Sequence, residues 1–329
     1  MRIILHGIVV MDKPRGRTSH DMVAFSRHLL RQKRIGHTGT LDPLATGVLP
    51  LCLGEATRLA QYLTNQHKVY EAEVLLGVTS KTYDIEGDLR EVAPSFFCTR
   101  NEMENALAVF CGVIEQKPPL YSAVSIAGKR LYQQARLGIE VDIPTRIIHI
   151  EQLKLKDREE QFYAGTPFAI NVHCSKGTYI RSLVHDLGLL LGCGAVVSGL
   201  RRLQSGHLAA RDALSPEQME SFVSQGRSEA LLYPLNPEMF ELPWLSLDSA
   251  QREELSHGRT FAYEHELIKP NDEAITSFEE SYEVMLLDSS NPQSSGILGI
   301  GICNTLLHLI KPQKVFNNPI AIMTEHVPS

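Results

Sequence analysis

The sequence comprises 329 residues, of which 43% are hydrophobic and 21% charged, and its formal net charge is −6. This composition excludes wholesale disorder and supplies enough apolar residues for the cores of one large or two modest domains. No stretch approaches the roughly eighteen uninterrupted apolar residues of a membrane span, and the apolar start is too short for a signal peptide. We therefore expect a cytoplasmic protein with no membrane partner.

The N-terminal segment combines regular secondary structure with a strongly basic charge. Residues 7–11 are predicted to form a strand, and a helix over about residues 21–31 can be capped by Thr18 or Ser19. Residues 12–37 hold seven lysines and arginines against two aspartates, a net charge of +5. Such a segment can form a phosphate-binding face, although a solvated helix surface explains the same charges.

A loop rich in glycine and proline follows, with the sequence GHTGTLDPLATGVLP at positions 36–50. Glycines relax the backbone and prolines restrict it, so this loop has a defined shape. Asp42 is the one residue in it that is always charged at neutral pH. A lone carboxylate on a shaped loop suits a nucleophile or a general base. The alternative is an ordinary Asp-Pro turn in which Asp42 caps the next helix.

The middle of the chain is predicted to mix strands and helices. Residues 68–77 alternate apolar and polar side chains, as a half-buried strand does, and Tyr70 lies among them. A tyrosine in such a strand is most often a core or cross-strand residue. The other predicted elements are a buried strand at 48–53, helices at 54–63 and 99–110, an extended segment at 116–124, a short helix ending at Gly138, and a strand at 146–156.

A second polar turn follows an alternating strand at residues 168–174. Residues 175–177 turn the chain, and a helix is predicted from Tyr179 to about residue 191. Arg181 lies near the start of this helix, where the helix dipole opposes a cation, so the sequence calls for an anion nearby. A plain surface arginine is the alternative.

The six cysteines stand at positions 52, 98, 111, 174, 193 and 303, and no two of them have CxxC spacing. The neighbourhood of His173, Cys174, His185 and Cys193 matches no zinc template, so no metal is expected. Free thiols in a reducing cytoplasm are the better interpretation.

The composition changes again after residue 240. Short strands indicate a small β unit and are predicted at 244–247, 284–287 and 297–302. Residues 241–329 hold 13 acidic and 5 basic side chains, a net charge of −8 that repels phosphate. Contact of this unit with RNA would therefore be confined to a local patch, such as one around Lys311 and Lys314.

Five segments closely resemble the motifs of the TruB family of tRNA pseudouridine synthases, in the family's order. They are DKPRGRTSHD at 12–21, GHTGTLDPLATGVLP at 36–50, KVY with LGVTSKTYDIEGD at 68–88, QKPPLYSA at 116–123 and SKGTYIRSL at 175–183. The sequence LRRL at 200–203 also resembles a strand of that family beside the uracil pocket. Two departures are visible: Thr40 stands where alanine is usual, and Ser125 stands where lysine is common.

The resemblance implies isomerisation of uridine to pseudouridine at position 55 in the T-arm loop of tRNA. In that family the aspartate at the place of Asp42 is catalytic, and the arginine that matches Arg181 pairs with it. Tyr70 is expected to stack on the target uracil. The other implied substrate-binding residues are His37, which fills the gap left by the flipped uridine, and Tyr179, Leu200 and Lys13. For Lys13 a structural role and a plain exposed lysine at the end of a strand stay open. Attack of Asp42 on the ribose or on the uracil ring stays open.

The expected fold class is α+β. A mixed-sheet catalytic domain spans 1–240, a small β-rich PUA-like RNA-binding domain spans 241–316, and a tail spans 317–329. The reaction gains and loses no atoms, so we expect no cofactor, and we expect a monomer that binds tRNA. Two alternatives stay open: a catalytically silent RNA-binding protein on this scaffold, and a guide-RNA-dependent relative of the dyskerin type. The presence of the motif residues argues against the first, and the acidic tail argues against the second.

Overall fold

A computed structural model describes residues 4–122, 125–126, 129–130, 142–269, 280–288 and 296–322. The short helix predicted to end at Gly138 lies outside these ranges, as does the side chain of Ser125. The described strands are β1 to β20: Gly7–Lys13, Ile35–His37, Ala45–Leu53, Lys68–Leu76, Val78–Thr79, Arg90–Glu91, Phe97–Thr99, Gly112–Gln116, Ser125–Ile126, Lys129–Arg130, Arg146–Leu155, Gln161–Tyr163, Phe168–Cys174, Ala195–Ser205, Leu208–Ala209, Trp244–Leu247, Phe261–Ala262, Ser281–Asp288, Gly296–Asn304 and Leu309–Ala321. The described α-helices are α1 to α6: Ser19–Leu29, Ala60–Thr64, Arg100–Ala108, Ile180–Leu190, Pro216–Ser224 and Ser249–Ser256. Short 3-10 helices lie at Gly54–Leu59, Ala210–Asp212, Ser228–Leu231, Pro237–Phe240 and His265–Leu267.

Helix starts follow from local sequence. The Thr18 hydroxyl accepts a hydrogen bond from the backbone N–H of Asp21 at 3.0 Å, and the Asp21 carboxylate accepts one from the Thr18 N–H at 2.8 Å. This capping box satisfies two N–H groups that the first turn leaves unpaired. Thr99 and Ser215 cap α3 and α5 in the same way, so each of these helices begins where its capping residue stands.

The larger sheet is mixed, as predicted. Its strands follow the order β1-β3-β14-β4-β13-β11-β8, with β2 paired to β3 and β15 paired to β14. The β3–β14 pairing is parallel and the others are antiparallel. Gly47 permits the close approach of β3 and β14, because a Cβ atom at this position would lie 2.2 Å from the carbonyl oxygen of Arg202. Its φ of +97° also favours glycine.

Both faces of this sheet are covered, which explains why GIVVM in β1 is a continuous apolar run. One face packs against α4 through a core that includes Val9, Leu183 and Leu187. The opposite face packs against the C-terminal strands, in a core shared by the two parts of the chain. Its fully or nearly fully buried members include Ile8, Val10, Val48, Met285, Ile300 and Phe316.

The C-terminal unit is a five-stranded sheet in the order β16-β18-β19-β20-β17. Polar contacts add to the shared core where β20 meets the 3-10 helix at Gly54–Leu59. Arg58 Nη1 donates to the carbonyl of Val315 at 2.5 Å, and Lys314 Nζ donates to the carbonyl of Arg58 at 3.2 Å. Lys314 was expected in an RNA-binding patch. In the structure it is half-buried, and its ammonium contacts the 3-10 helix at Gly54–Leu59. Strand β20 continues past residue 316, where the sequence predicted the end of this domain.

Candidate active site

A cleft of about 680 Å³ opens beside the start of β4, the second half of β14 and the start of α4. Its lining brings together four of the sequence motifs: the loop that carries Asp42, the strand that carries Tyr70, the segment that ends at Ser122 and the turn before α4. The described residues of the lining include five basic side chains and one acidic one: Lys68, Arg146, Lys176, Arg181, Arg202 and Asp42. The cleft is therefore basic although the whole chain is acidic.

The loop that presents Asp42 is held from beneath. Ser19 Oγ accepts from the backbone N–H of Leu41 at 2.8 Å and lies 3.1 Å from the Leu41 carbonyl, to which it donates. The backbone carbonyl of Asp42 accepts from the N–H of Ala45 at 3.0 Å. With its backbone fixed, the carboxylate projects into the cleft with 39% of its side chain exposed. The loop thus presents the carboxylate of Asp42 to the cleft.

Lys13 also contacts this loop. Its side chain is fully buried, and Nζ donates to the carbonyls of Pro14 at 2.9 Å, Arg17 at 2.6 Å and Pro43 at 3.4 Å. Burial lowers the pKa of Lys13 to about 8, although the negative charge of Asp42 acts in the opposite direction. Lys13, predicted as a substrate-binding residue, therefore ties the first turn of the chain to the Asp42 loop and does not line the cleft.

Arg181 bridges two aspartates at the floor of the cleft. Its Nε lies 2.9 Å from Oδ2 of Asp42, and its Nη1 lies 3.5 Å from Oδ2 of Asp84. The Nε contact is an ion pair without the alignment of a hydrogen bond. Nη1 and Nη2 instead donate to the backbone carbonyls of Thr82 at 2.8 Å and Tyr121 at 3.0 Å. The predicted pairing is present, but the guanidinium does not grip Asp42 through two parallel hydrogen bonds.

Asp84 is the anion that compensates the inner side of Arg181. It is 4% exposed, and its Oδ1 accepts from Thr82 Oγ1 at 2.6 Å and from the Glu86 N–H at 3.0 Å. These bonds satisfy a buried carboxylate and hold it in place. Asp42 and Asp84 thus compensate the positive charge of Arg181, which the dipole at the start of α4 opposes.

Tyr70 lies in β4 at the cleft wall and is 9% exposed. Burial raises the pKa of its hydroxyl, while the charge of Arg202 and a hydrogen bond from it act in the opposite direction. Arg202 is 1% exposed, and its guanidinium donates to the carbonyls of Val48 at 2.6 Å and Gly39 at 3.0 Å. Arg202 therefore links the Tyr70 strand to the loop that carries Asp42.

The remaining predicted residues take different positions. Tyr179 and Leu200 line the cleft, and the Arg146 guanidinium lies 5.4 Å from the centroid of the Tyr179 ring. His37 lies in β2, outside the cleft lining, with its ring edge-on to His20 at 5.4 Å. Burial, followed by the charges of His20 and Arg202, lowers the pKa of His37 to about 4.

Sequence reasoning missed two buried cations of this site. Arg202 was noted only within a strand motif, and Lys68 was not singled out. Lys68 is 6% exposed, and burial lowers its pKa to about 8. Its Nζ donates to the carbonyls of Thr64 and Gln66. Its position two residues before Tyr70 puts both side chains on one face of β4, which is the signal that could have found it.

All six cysteines are free thiols. Among the residues that the structure describes, no group of three or more His, Cys, Asp and Glu side chains could hold a metal ion. Within the same ranges, no helix is long and apolar enough to cross a membrane.

Comparison with solved structures identifies the fold. The chain is similar to a protein in the crystal structure of a Cbf5–Nop10–Gar1 complex, with a TM-score of 0.67 and 24% identity over 96% of this chain and 85% of that one. A chain in the structure of an H/ACA RNP bound to a substrate RNA containing 2′-deoxyuridine also gives a TM-score of 0.67, at 21% identity over 96% of this chain and 86% of that one. At these identities the likeness defines the class of fold alone.

Comparison of sequences identifies the family. Residues 27–180 match the model of the TruB family pseudouridylate synthase N-terminal domain, and residues 181–237 match that of the tRNA pseudouridylate synthase B C-terminal domain. The tRNA pseudouridine synthase B of Bacillus thuringiensis is 40% identical over 95% of this chain and 98% of its own length. That of Geobacillus thermodenitrificans is 40% identical over 95% of this chain and its entire length. The chain belongs to the TruB family of pseudouridylate synthases.

Proposed function

We propose that this protein is a tRNA pseudouridine synthase that converts uridine 55 of the T-arm loop to pseudouridine, with Asp42 as nucleophile. The observation that carries the proposal is the Asp42–Arg181 ion pair at the floor of a basic cleft whose wall holds Tyr70. The relatives named tRNA pseudouridine synthase B support the same reaction and substrate.

The reaction places three demands on the site. The N1–C1′ bond must break, the freed uracil must turn within the cleft, and a C5–C1′ bond must form as the C5 proton leaves and N1 gains a proton. Asp42 supplies the carboxylate that forms the covalent intermediate, by attack on either the ribose C1′ or the uracil ring. Arg181, anchored on two backbone carbonyls and Asp84, keeps that carboxylate oriented for attack.

The cleft walls hold the uracil while it turns. Tyr70 presents an aromatic face, and stacking of a base on such a face contributes roughly 1–3 kcal/mol. Because burial raises the pKa of Tyr70, its hydroxyl is protonated at neutral pH before substrate binds. A protonated hydroxyl is a poor base, so the C5 proton leaves to a water, or through a relay in which Tyr70 passes on its own proton as it accepts this one. Leu200 and Tyr179 keep bulk water from the sugar intermediate.

Substrate access follows from charge and from base flipping. Arg146 and Lys176 supply positive charge at the cleft, where the phosphates beside a flipped uridine would lie. His37 is proposed to fill the gap left in the T-arm loop. Its neutral imidazole suits stacking between bases, since burial keeps its pKa at about 4.

We also propose where the protein acts, what it binds and what its two parts contribute. The protein acts as a cytoplasmic monomer on tRNA, without a guide RNA. Residues 1–240 form the catalytic domain, and the acidic C-terminal unit from residue 241 adds limited RNA contact. The Lys13 ammonium contributes by holding the Asp42 loop, since it is fully buried.

The test is pseudouridine mapping on an unmodified tRNA transcript incubated with the purified protein alone. We expect one pseudouridine, at position 55, and none in a matched transcript that carries cytidine there. Binding without any pseudouridine would support the catalytically silent alternative. Modification only at other positions would contradict the assignment to the T-arm loop.

A further inference from the structure

The loop that grips Arg181 contains a strained residue. Tyr83 has a φ of +62°, a left-handed conformation that L side chains other than Asn and Asp rarely adopt. It stands between Thr82, whose carbonyl accepts from Arg181, and Asp84, whose carboxylate pairs with it. The left-handed turn at Tyr83 thus brings two consecutive contacts onto one guanidinium. Such a conformation persists only where surrounding contacts enforce it.

One contact that supports this conformation is aromatic. The Tyr83 ring stacks on the ring of His185, with centroids 3.8 Å apart and planes within 8° of parallel. His185 follows Arg181 by four residues in α4, so the two side chains lie on the same face of the helix. One turn of α4 therefore holds the 82–84 loop twice, through the Arg181 guanidinium and through the His185 ring.

The backbone of the loop is fixed on its other side. The carbonyl of Tyr83 accepts from the Val197 N–H at 3.0 Å, and the Ile85 N–H donates to the Val197 carbonyl at 3.0 Å. These bonds attach the loop to β14, the strand that also carries Leu200 and Arg202. The 82–84 loop is therefore held between α4 and β14, and movement of the Tyr83 ring would disturb its contacts with both.

The chemistry of His185 suits stacking and not proton transfer. Its Nδ1 is buried and has no hydrogen-bond partner among the residues that the structure describes. Burial lowers the pKa of its ring, so the imidazole is neutral at neutral pH. Burial, followed by the negative charge of Asp186, raises the pKa of the Tyr83 hydroxyl.

We propose that Tyr83 and His185 form a stacked positioning pair that holds the 82–84 loop against Arg181 and thereby keeps Arg181 beside Asp42. Neither side chain lines the cleft, so both act through Arg181. The catalytic consequence rests on the proposed function, whereas the effect on the loop does not.

The first test is hydrogen exchange of the free protein, measured by mass spectrometry on the peptide that contains residues 82–86. His185→Ala removes the stack and should speed exchange of the Ile85 amide by about tenfold, since each 1.4 kcal/mol of lost protection is a factor of ten. His185→Phe keeps a flat ring and removes an unpaired buried nitrogen, so it should exchange like the wild type. Equal exchange in all three proteins would overturn the pair.

The second test is kinetic, with a tRNA transcript that carries tritiated uridine at C5. His185→Ala should lower kcat by about tenfold with KM unchanged, and His185→Phe should restore it. In an Arg181→Lys background, His185→Ala should have little further effect on kcat, because the pair acts through Arg181. Fully additive losses would overturn that route.

Two outcomes separate this proposal from the proposed function. If His185→Ala unfolds, the exchange rates of Tyr83→Phe and Tyr83→Gly are compared instead. Phenylalanine keeps the ring, whereas glycine removes it and accepts the left-handed φ. Faster exchange in Tyr83→Gly alone supports the pair. A wild-type protein that makes no pseudouridine contradicts the proposed function, while the exchange measurement still decides whether the pair holds the loop.

Discussion

Replacement of Arg181 by lysine retains its positive charge and removes its geometry. Two partly buried carbonyls, those of Thr82 and Tyr121, lose the Nη donors that lie 2.8 and 3.0 Å away. Hydrogen bonds from a charged donor contribute roughly 1.5–3 kcal/mol each, so the free energy of unfolding should fall by about 3 kcal/mol. A single ammonium cannot satisfy both carbonyls and also contact Asp42 and Asp84.

Arg181→Lys should lower the rate of the chemical step more than its retained positive charge suggests. Displacement of a reacting group by about 1 Å can lower a rate by about 100-fold, so we expect a loss of that size in kcat for Arg181→Lys. Single-turnover release of tritium from C5-labelled tRNA measures the chemical step. Urea unfolding of the same protein measures stability and shows that the variant is folded under the assay conditions.

A matched control lies elsewhere on the same sheet. Arg201 pairs with Asp12 through two contacts of 3.0 and 2.7 Å, and its side chain is 38% exposed and outside the cleft lining. Arg201→Lys should cost less than about 1 kcal/mol of stability and leave the chemical rate unchanged, as exposed ion pairs do. Normal turnover in Arg181→Lys, or an equal loss in both variants, would refute the role assigned to Arg181.

Three further predictions concern RNA binding, the C-terminal unit and pH. Binding of tRNA should weaken steeply with salt, and charge reversal at the exposed Arg31 and Lys33 should reduce the slope of log affinity against log salt by about one per lost phosphate contact; an unchanged slope would make them a solvated face. Truncation after residue 240 should unfold the remaining domain or lower its melting temperature sharply, because residues of the shared core such as Ile8 lose part of their burial. Complete burial of such a side chain contributes roughly 1.5–3 kcal/mol. A truncated protein with unchanged melting would contradict this. His37 has a folded-state pKa of about 4, below its unfolded value of about 6.5. The unfolded chain therefore binds more protons between these values, and stability should fall as the pH drops from about 6.5 to about 4, less steeply in His37→Gln when urea unfolding is compared across that range; identical slopes would show that His37 titrates normally.

Local pattern predicted much of the fold and part of the site. The alternation at residues 168–174 corresponds to β13 residue for residue, and Thr18, one of the two predicted capping residues, is the N-cap of α1. Strand β20 was missed because Pro312 and Pro319 interrupt its pattern, and in the structure its pairing with β19 contains register shifts. A strand with such irregularities has no clean alternation to read.

Long-range contacts account for what the sequence could not predict at the site. Lys13 and Arg202 are charged residues that are expected at the surface from sequence alone, yet both are buried with carbonyls as partners. Those of Arg202 are distant in the chain, whereas Lys13 combines two local carbonyls with the distant one of Pro43. The stacking of Tyr83 on His185 joins residues 102 positions apart, and no local pattern signals it. The pairing of Asp42 with Arg181 was expected only through the family's motifs, since spacing alone cannot bring residues so far apart together.

The most direct test of the account is the chemical rate of Asp42→Asn on unmodified tRNA, measured under single-turnover conditions beside the wild type. The substitution keeps the size of the side chain and removes the nucleophilic carboxylate, so folding and tRNA binding should persist. Pseudouridine formation should fall to less than about a hundredth of the wild-type rate, a loss of more than about 2.7 kcal/mol of transition-state stabilisation. Retention of a greater share of the rate, in a folded variant that binds tRNA normally, would contradict the assignment of Asp42 as the nucleophile.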